Sequence, residues 1–309
     1  MRKYIILIAA IIAIAATAQD NVAKDTHIYN IIGNDTLRLD HYYDASQPTK
    51  ATIIFAFGGS FKAGERDNSQ YLPFFQFMAD KGVNVVSIDY RTALKDVPMS
   101  QMATLDGFAV ALQGAITAAV TDFYTATGYV MTKSTEWGID PTKIFACGSS
   151  AGAITALQAE NYLVNDGVKG IFPDWFNYAG VISFAGAICA DGETTWTDKT
   201  APLLMFHGDA DTVVPYNKAV AGSLGLYGSK NISDKLDGIE IPHILHTVMG
   251  ASHEICTYPM DNCRTEILSF IVNSICGNVK NITRITDRKP GVREYRTDFT
   301  IEEYLKANL

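Results

Sequence analysis

Zinc-type cysteine spacing, basic clusters, internal repeats and low-complexity linkers are all missing from this sequence of 309 residues. No two cysteines stand at the short spacing that a structural zinc site needs. Lys and Arg number 25 against 33 Asp and Glu, and no basic run offsets the net charge of −8. An acidic chain of this kind is not built to hold nucleic acid or an anionic membrane. With no linker and no repeat, its length suits one large α/β domain better than two small ones. An apolar content of 48% is ample for a core of that size.

Long apolar runs are also lacking, with one exception. Arg2 and Lys3 precede the apolar stretch Tyr4 to Ala15, and Ala16-Thr17-Ala18 forms an A-x-A site. This is the pattern of a signal peptide over residues 1–18, and its apolar run is short for a stable membrane span. No cysteine follows the cleavage site, which argues against a lipid anchor. The expected product is exported, periplasmic or secreted, and begins near Gln19. Removing Arg2 and Lys3 leaves 23 basic against 33 acidic residues, a net charge of −10. Five cysteines (Cys147, Cys189, Cys256, Cys263, Cys276) allow up to two disulfides with one thiol left over. Cys147 lies in an apolar run and reads as a reduced core residue. Cys256 with Cys263 and Cys189 with Cys256 are both open pairings.

What the sequence does contain is organised around Ile144 to Gly152, IFACGSSAG. Four apolar residues suit a buried strand, and helix-favouring residues run from Ala151 to Glu160. Between them Gly148-Ser149-Ser150-Ala151-Gly152 fits G-x-S-x-G with Ser150 at the centre. Strand, glycine-flanked serine and helix are the context of a nucleophile elbow, where small neighbours permit a sharp turn. The helix that follows points free N–H groups at charge developing during attack. Chance alone would give roughly 0.1 such match in a chain of this length.

Around the elbow, strands and helices alternate. Strands are expected within His27 to Asp44 around a Gly33-Asn34-Asp35 turn, and at Thr52 to Phe57, Asn84 to Tyr90, Gly180 to Ile188, Pro202 to Phe206 and His246 to Met249. Helices are expected at Asn68 to Lys81, Gln101 to Ala126, Asn217 to Leu224 and Cys263 to Ser274. Such alternation means a mostly parallel sheet covered on both faces. The tail from Gly277 to Leu309 is more charged. It reads either as an extra strand with a helix at Ile301 to Asn308, or as a tether, and carries no assigned chemistry.

A serine nucleophile needs a base, and the base needs an orienting carboxylate. Candidates follow later strands: His207-Gly208-Asp209-Ala210-Asp211-Thr212-Val213-Val214-Pro215 after residues 202–206, and Gly250-Ala251-Ser252-His253-Glu254 after residues 246–249. The order serine, acid, histidine is that of an α/β-hydrolase. HGDADTVVP resembles the acid loop of α/β-hydrolase esterases and prolyl-oligopeptidase-type peptidases. That resemblance implies Asp211 as the acid, Asp209 as a loop-capping neighbour, His207 as a structural residue and His253 as the base. His27, His41, His243 and His246 stand away from these positions and read as structural.

Phe57-Gly58-Gly59-Ser60-Phe61-Lys62-Ala63-Gly64 resembles the H-G-G-G loop of hormone-sensitive-lipase-like and carboxylesterase-like hydrolases. The likeness implies Gly59 and Ser60 as oxyanion donors beside Ala151. Phe57 departs from the pattern, which has histidine there, and this bears on how the loop is held. Val86 to Arg91 and Gly138 to Ile144 resemble further stretches of the same esterases, with Asp89 and Arg91 in structural roles. The likeness spans about residues 50–275. It implies an α/β-hydrolase fold with a mostly parallel eight-stranded sheet, a catalytic domain over residues 19–276 and a tail over 277–309. The implied activity is ester hydrolysis through Ser150, His253 and Asp211, with no metal or organic cofactor needed.

The interval from Ala151 to Leu204 has no long amphipathic insertion that would lid a lipase, which favours a water-soluble ester. Exported esterases of this kind resemble carbohydrate esterases that remove acetyl or feruloyl groups. The expected partner is a small-molecule or polysaccharide ester, with Trp175, Trp196 and Tyr216 available to stack on rings or to pack. Three alternatives stand beside this reading: a prolyl-oligopeptidase-like serine peptidase, a lipase-like carboxylesterase, and a binding protein on a hydrolase scaffold. The peptidase reading lacks room for an N-terminal propeller.

Overall fold

The apolar runs become the centre of a nine-stranded sheet. The computed structural model describes residues 21–168, 170–221 and 224–308, so the expected signal peptide lies outside the described residues. β1 (Val22–Ile32), β2 (Asp35–Asp44), β3 (Ala51–Ala56), β4 (Val83–Ile88), β5 (Ile144–Ser149), β6 (Gly180–Phe184), β8 (Leu203–Gly208), β11 (His243–Met249) and β12 (Ile282–Arg288) pair in the order β1-β2-β4-β3-β5-β6-β8-β11-β12. The first two pairings are antiparallel and the rest parallel. Every residue of β3, β4, β5, β6 and β8 is buried, as strands covered on both faces must be.

Two groups of helices supply that cover. α2 (Leu105–Thr132) packs with α4 (Ala151–Val164), while α1 (Leu72–Asp80) packs with α6 (Tyr258–Asn262) and α7 (Arg264–Ile275). The short α3 (Ser134–Trp137) ends at Gly138, whose φ of 64° provides a left-handed cap leading into β5. α2 runs one turn and more beyond its expected end. α1 starts only at Leu72, because residues 68–71 form turns ahead of Pro73.

Three departures from expectation have physical causes. The main sheet has a ninth strand, β12, paired in parallel with β11 from His243–Ile282 to Met249–Arg288. Its ITRITDR sequence is polar and mostly exposed, as befits an edge strand protected by charge. Gly180 to Ile188 does not continue as one strand. Ala185 has φ 55° and a Cβ on Gly186 would lie 2.5 Å from Ser183 Oγ, so the chain turns and restarts as β7 (Ala187–Asp191). The expected helix at Asn217 to Leu224 is instead β9 (Lys218–Ala221) and the start of β10 (Leu224–Gly228), which join β7 in a three-stranded sheet ordered β7-β10-β9. A Cβ at Gly228 would sit 1.7 Å from Pro215 O, and α5 (Ser229–Asp237) begins just after it. All five cysteines are free thiols, so neither candidate disulfide forms.

Glu160 on α4 is fully buried. Its Oε1 accepts from Ala201 N at 2.7 Å, and Oε2 has no partner among the described residues. Burial pushes its pKa up to about 7 from 4.5. A carboxyl whose folded-state pKa is raised binds its proton more tightly when folded. Stability is therefore fullest below pH 4.5 and is lost as pH rises toward 7. Glu160→Gln is expected to be more stable than the wild type at pH 8 by about 3 kcal/mol, and the gap should close at pH 4. Urea melts at the two pH values measure this; a gap independent of pH would contradict it.

Candidate active site

β5 delivers Ser150 to the carboxyl end of the sheet and α4 begins one residue later. Ser150 has φ 53° and ψ −117°, a conformation of order 1–3 kcal/mol above an ordinary one. Its amide donates to Phe184 O at 2.9 Å, which helps hold the turn. The flanking glycines are required by space. A Cβ on Gly148 would lie 2.2 Å from Gly152 C, and one on Gly152 2.0 Å from Ala56 O.

Asp211 and His253 reach the serine from the loops after β8 and β11. Ser150 Oγ stands 2.8 Å from His253 Nε2, and His253 Nδ1 stands 2.8 Å from Asp211 Oδ2. Burial works to raise the Asp211 pKa, yet hydrogen bonds from His207 and His253 outweigh it and hold the carboxyl well below its usual range. Asp211 is thus ionised and can only accept. His253 Nδ1–H donates to it, and Nε2 is left to accept the Ser150 proton. Asp211 Oδ1 also accepts from the amides of Val213 (2.8 Å) and Val214 (3.0 Å).

The neighbours in the acid loop have supporting positions. His207 is buried, with Nδ1 2.9 Å from Ser229 Oγ and Nε2 3.1 Å from Val214 O. Asp209 accepts from Gly250 N at 2.7 Å and from Tyr295 Oη at 3.1 Å, tying the loop that carries His253 to the tail. Arg91 clamps Asp122, and Asp89 accepts from Arg66 and Arg38 N, so both lie in structural ion pairs.

The expected oxyanion loop turns tightly. Gly59 has φ 137°, and a Cβ there would stand 1.9 Å from Ala63 O. Lys62 N and Ala63 N both donate to Gly59 O, while Ser60 and Phe61 adopt φ 52° and 57°. Phe57, the departure from the H-G-G-G pattern, stacks on Tyr90 with ring centroids 4.4 Å apart, and Tyr90 Oη donates to Phe57 O at 2.8 Å. An aromatic stack and a phenol thus hold the loop where histidine is expected. Ser60, Ser150 and Ala151 line one cavity of about 50 Å³; Gly59 makes the turn behind it and is not in the lining.

The rest of that cavity is mostly apolar and includes residues that no sequence motif marks. Phe108 and Leu112 come from α2, and Ile301, Tyr304 and Asn308 from α8 (Ile301–Asn308). Only the Ile301 to Asn308 helical option hinted at this, and a helix in a charged tail gives no sign of where it docks. Trp175, Trp196 and Tyr216 do not line the cavity. Trp175 is exposed, Trp196 is buried, and Tyr216 packs edge-on against His207 and bonds Thr247. Among the described residues, His246, Cys263 and Glu266 bring metal-capable atoms within 4.8 Å of one another, apart from the Ser150 cavity. No helix among them is long and apolar enough to cross a membrane.

The doubly covered, mostly parallel sheet with a serine elbow at its carboxyl edge is an α/β-hydrolase fold. The BD-FAE family model matches residues 39–166, from β2 through the elbow helix. Among solved structures, an esterase from the Planctomycetes species Thermogutta terrifontis superposes with a TM-score of 0.58 at 19% identity, covering 82% of this chain and 93% of that one. The same enzyme phosphorylated by paraoxon gives 0.58 at 19%, covering 84% and 96%. Esterase Est22 gives 0.57 at 13%, covering 82% and 81%. Comparison with curated proteins finds no match. The chain is thus similar in fold to bacterial esterases.

Proposed function

We propose that this protein is an exported serine esterase that cleaves small acyl groups from carbohydrate esters. The observation that carries the reading is the chain of two 2.8 Å contacts, Ser150 Oγ to His253 Nε2 and His253 Nδ1 to Asp211 Oδ2. His253 takes the Ser150 proton as Oγ attacks the ester carbonyl, and Asp211 stabilises the imidazolium. Backbone N–H groups of Ser60 and Ala151, which line the cavity beside Ser150, receive the oxyanion, with Gly59 shaping the loop that presents Ser60. His253 then protonates the departing alcohol, and water activated by the same imidazole releases the acid and restores Ser150.

Export is supported by the leader pattern of residues 1–18. The carbohydrate alcohol is supported by that export and by the resemblance to carbohydrate esterases, not by the three loop aromatics. The test sets p-nitrophenyl acetate and acetylated plant polysaccharide beside a peptide p-nitroanilide. The expected result is turnover of the ester and release of acid from polysaccharide. Anilide cleavage without ester preference would replace the reading with a peptidase. Ester turnover without polysaccharide release would remove the carbohydrate.

A further inference from the structure

We propose that the C-terminal segment forms the wall of the acyl pocket and limits the enzyme to short aliphatic acyl groups. This deepens the esterase reading and rests on it.

The segment is threaded from the sheet edge back across the reacting loops. After β12, Lys289 N donates to Met249 O at 2.9 Å. Val292 then lies over Gly250, where a Cβ would come within 2.7 Å of Val292 Cγ1. Tyr295 Oη reaches Asp209 Oδ2 at 3.1 Å. α8 comes last and bridges the two loops flanking Ser150. Tyr304 Oη donates to Asp211 O at 3.3 Å and Asn308 Nδ2 to Val213 O at 2.9 Å, while Lys62 Nζ of the oxyanion loop donates to Asn308 O at 2.7 Å. A helix held on the acid loop at one side and the oxyanion loop at the other stands over the space between them.

That space is the cavity beside Ser150. Ser60 and Ala151 stand by the nucleophile, Phe61 and Phe108 form one side, and Ile301 and Tyr304 close the tail side. Its volume of about 50 Å³ is small for a ligand pocket. The walls offer almost no polar partner, so a short hydrocarbon chain suits them, whereas a feruloyl group would bury its phenol without a partner. An acyl chain rather than a sugar belongs here, because a sugar would leave its hydroxyls unbonded.

The test measures kcat/KM on p-nitrophenyl acetate, butyrate and octanoate for the wild type, Ile301→Ala, Tyr304→Ala and Tyr304→Phe. Each methylene that gains apolar cover strengthens binding about fourfold. The octanoate-to-acetate ratio is therefore expected to rise at least tenfold in Tyr304→Ala, to rise less in Ile301→Ala, and to stay near the wild-type ratio in Tyr304→Phe, which keeps the ring. Circular dichroism of each variant establishes folding, and Ile301→Ala carries the test if Tyr304→Ala fails to fold. Active variants whose ratio matches the wild type would overturn the wall and leave the esterase reading standing. A wild type that turns over none of the three esters and resists an ethyl fluorophosphonate would remove both.

Discussion

Ser150→Ala is expected to lower kcat on p-nitrophenyl acetate by on the order of 10⁶-fold, the scale seen when a serine hydrolase loses its nucleophile. The expectation comes from how the three groups depend on one another. His253 Nε2 has a proton to accept only because Ser150 Oγ lies 2.8 Å away, and it is the free nitrogen only because Nδ1 is committed to Asp211. His253→Ala should thus be about as damaging as Ser150→Ala, and the double variant no worse than either. Asp211→Asn should cost about 10⁴-fold, since an amide donor favours the wrong imidazole tautomer. Stopped-flow kinetics on the four proteins measures this. Independent, additive losses would mean that the groups do not act as one unit.

Gly152→Ala is expected to destabilise the fold by on the order of 3 kcal/mol or more, at the upper end of overpacking. The added Cβ would fall 2.0 Å from Ala56 O and 2.4 Å from Ala56 C, both backbone atoms of the buried strand β3. Neither can rotate aside, so α4 must move off the sheet and carry the Ser150 turn with it. A fall in Tm of about 10 °C should accompany a loss of activity. Gly114→Ala is the matched control. It lies inside α2 with nothing within 4 Å of an added Cβ, and should stabilise by about 0.5–1 kcal/mol through helix propensity. Equal effects at the two glycines would show that close packing at Gly152 is not what restricts it.

The glycines of the elbow also show what the sequence makes legible. Gly148 and Gly152 are dictated by contacts within a few residues of Ser150 and with the adjoining strand, so the motif announces the geometry directly. The acid and base loops are legible because each follows a short strand-like run and carries a chemically distinctive residue. Phe57 was a visible departure, but its compensation by Tyr90, 33 residues away, depends on a pairing of strands that no local pattern encodes. Lys218 to Ala221 misleads because its lysine and alanines favour a helix, while its strand partner, β10, is held on its other side by β7, the second half of an apparently continuous strand. The tail was the least legible. β12 is polar because it is an edge, and α8 gains its meaning only from the loops it bridges.

The most direct test of the central claim is covalent. The purified protein is treated with a fluorophosphonate, digested and sequenced by mass spectrometry. The account predicts one stoichiometric adduct, on Ser150, that is lost in Ser150→Ala and sharply slowed in His253→Ala. An adduct on the adjacent Ser149 or on Ser60, or a protein that is folded yet unlabelled, would contradict it.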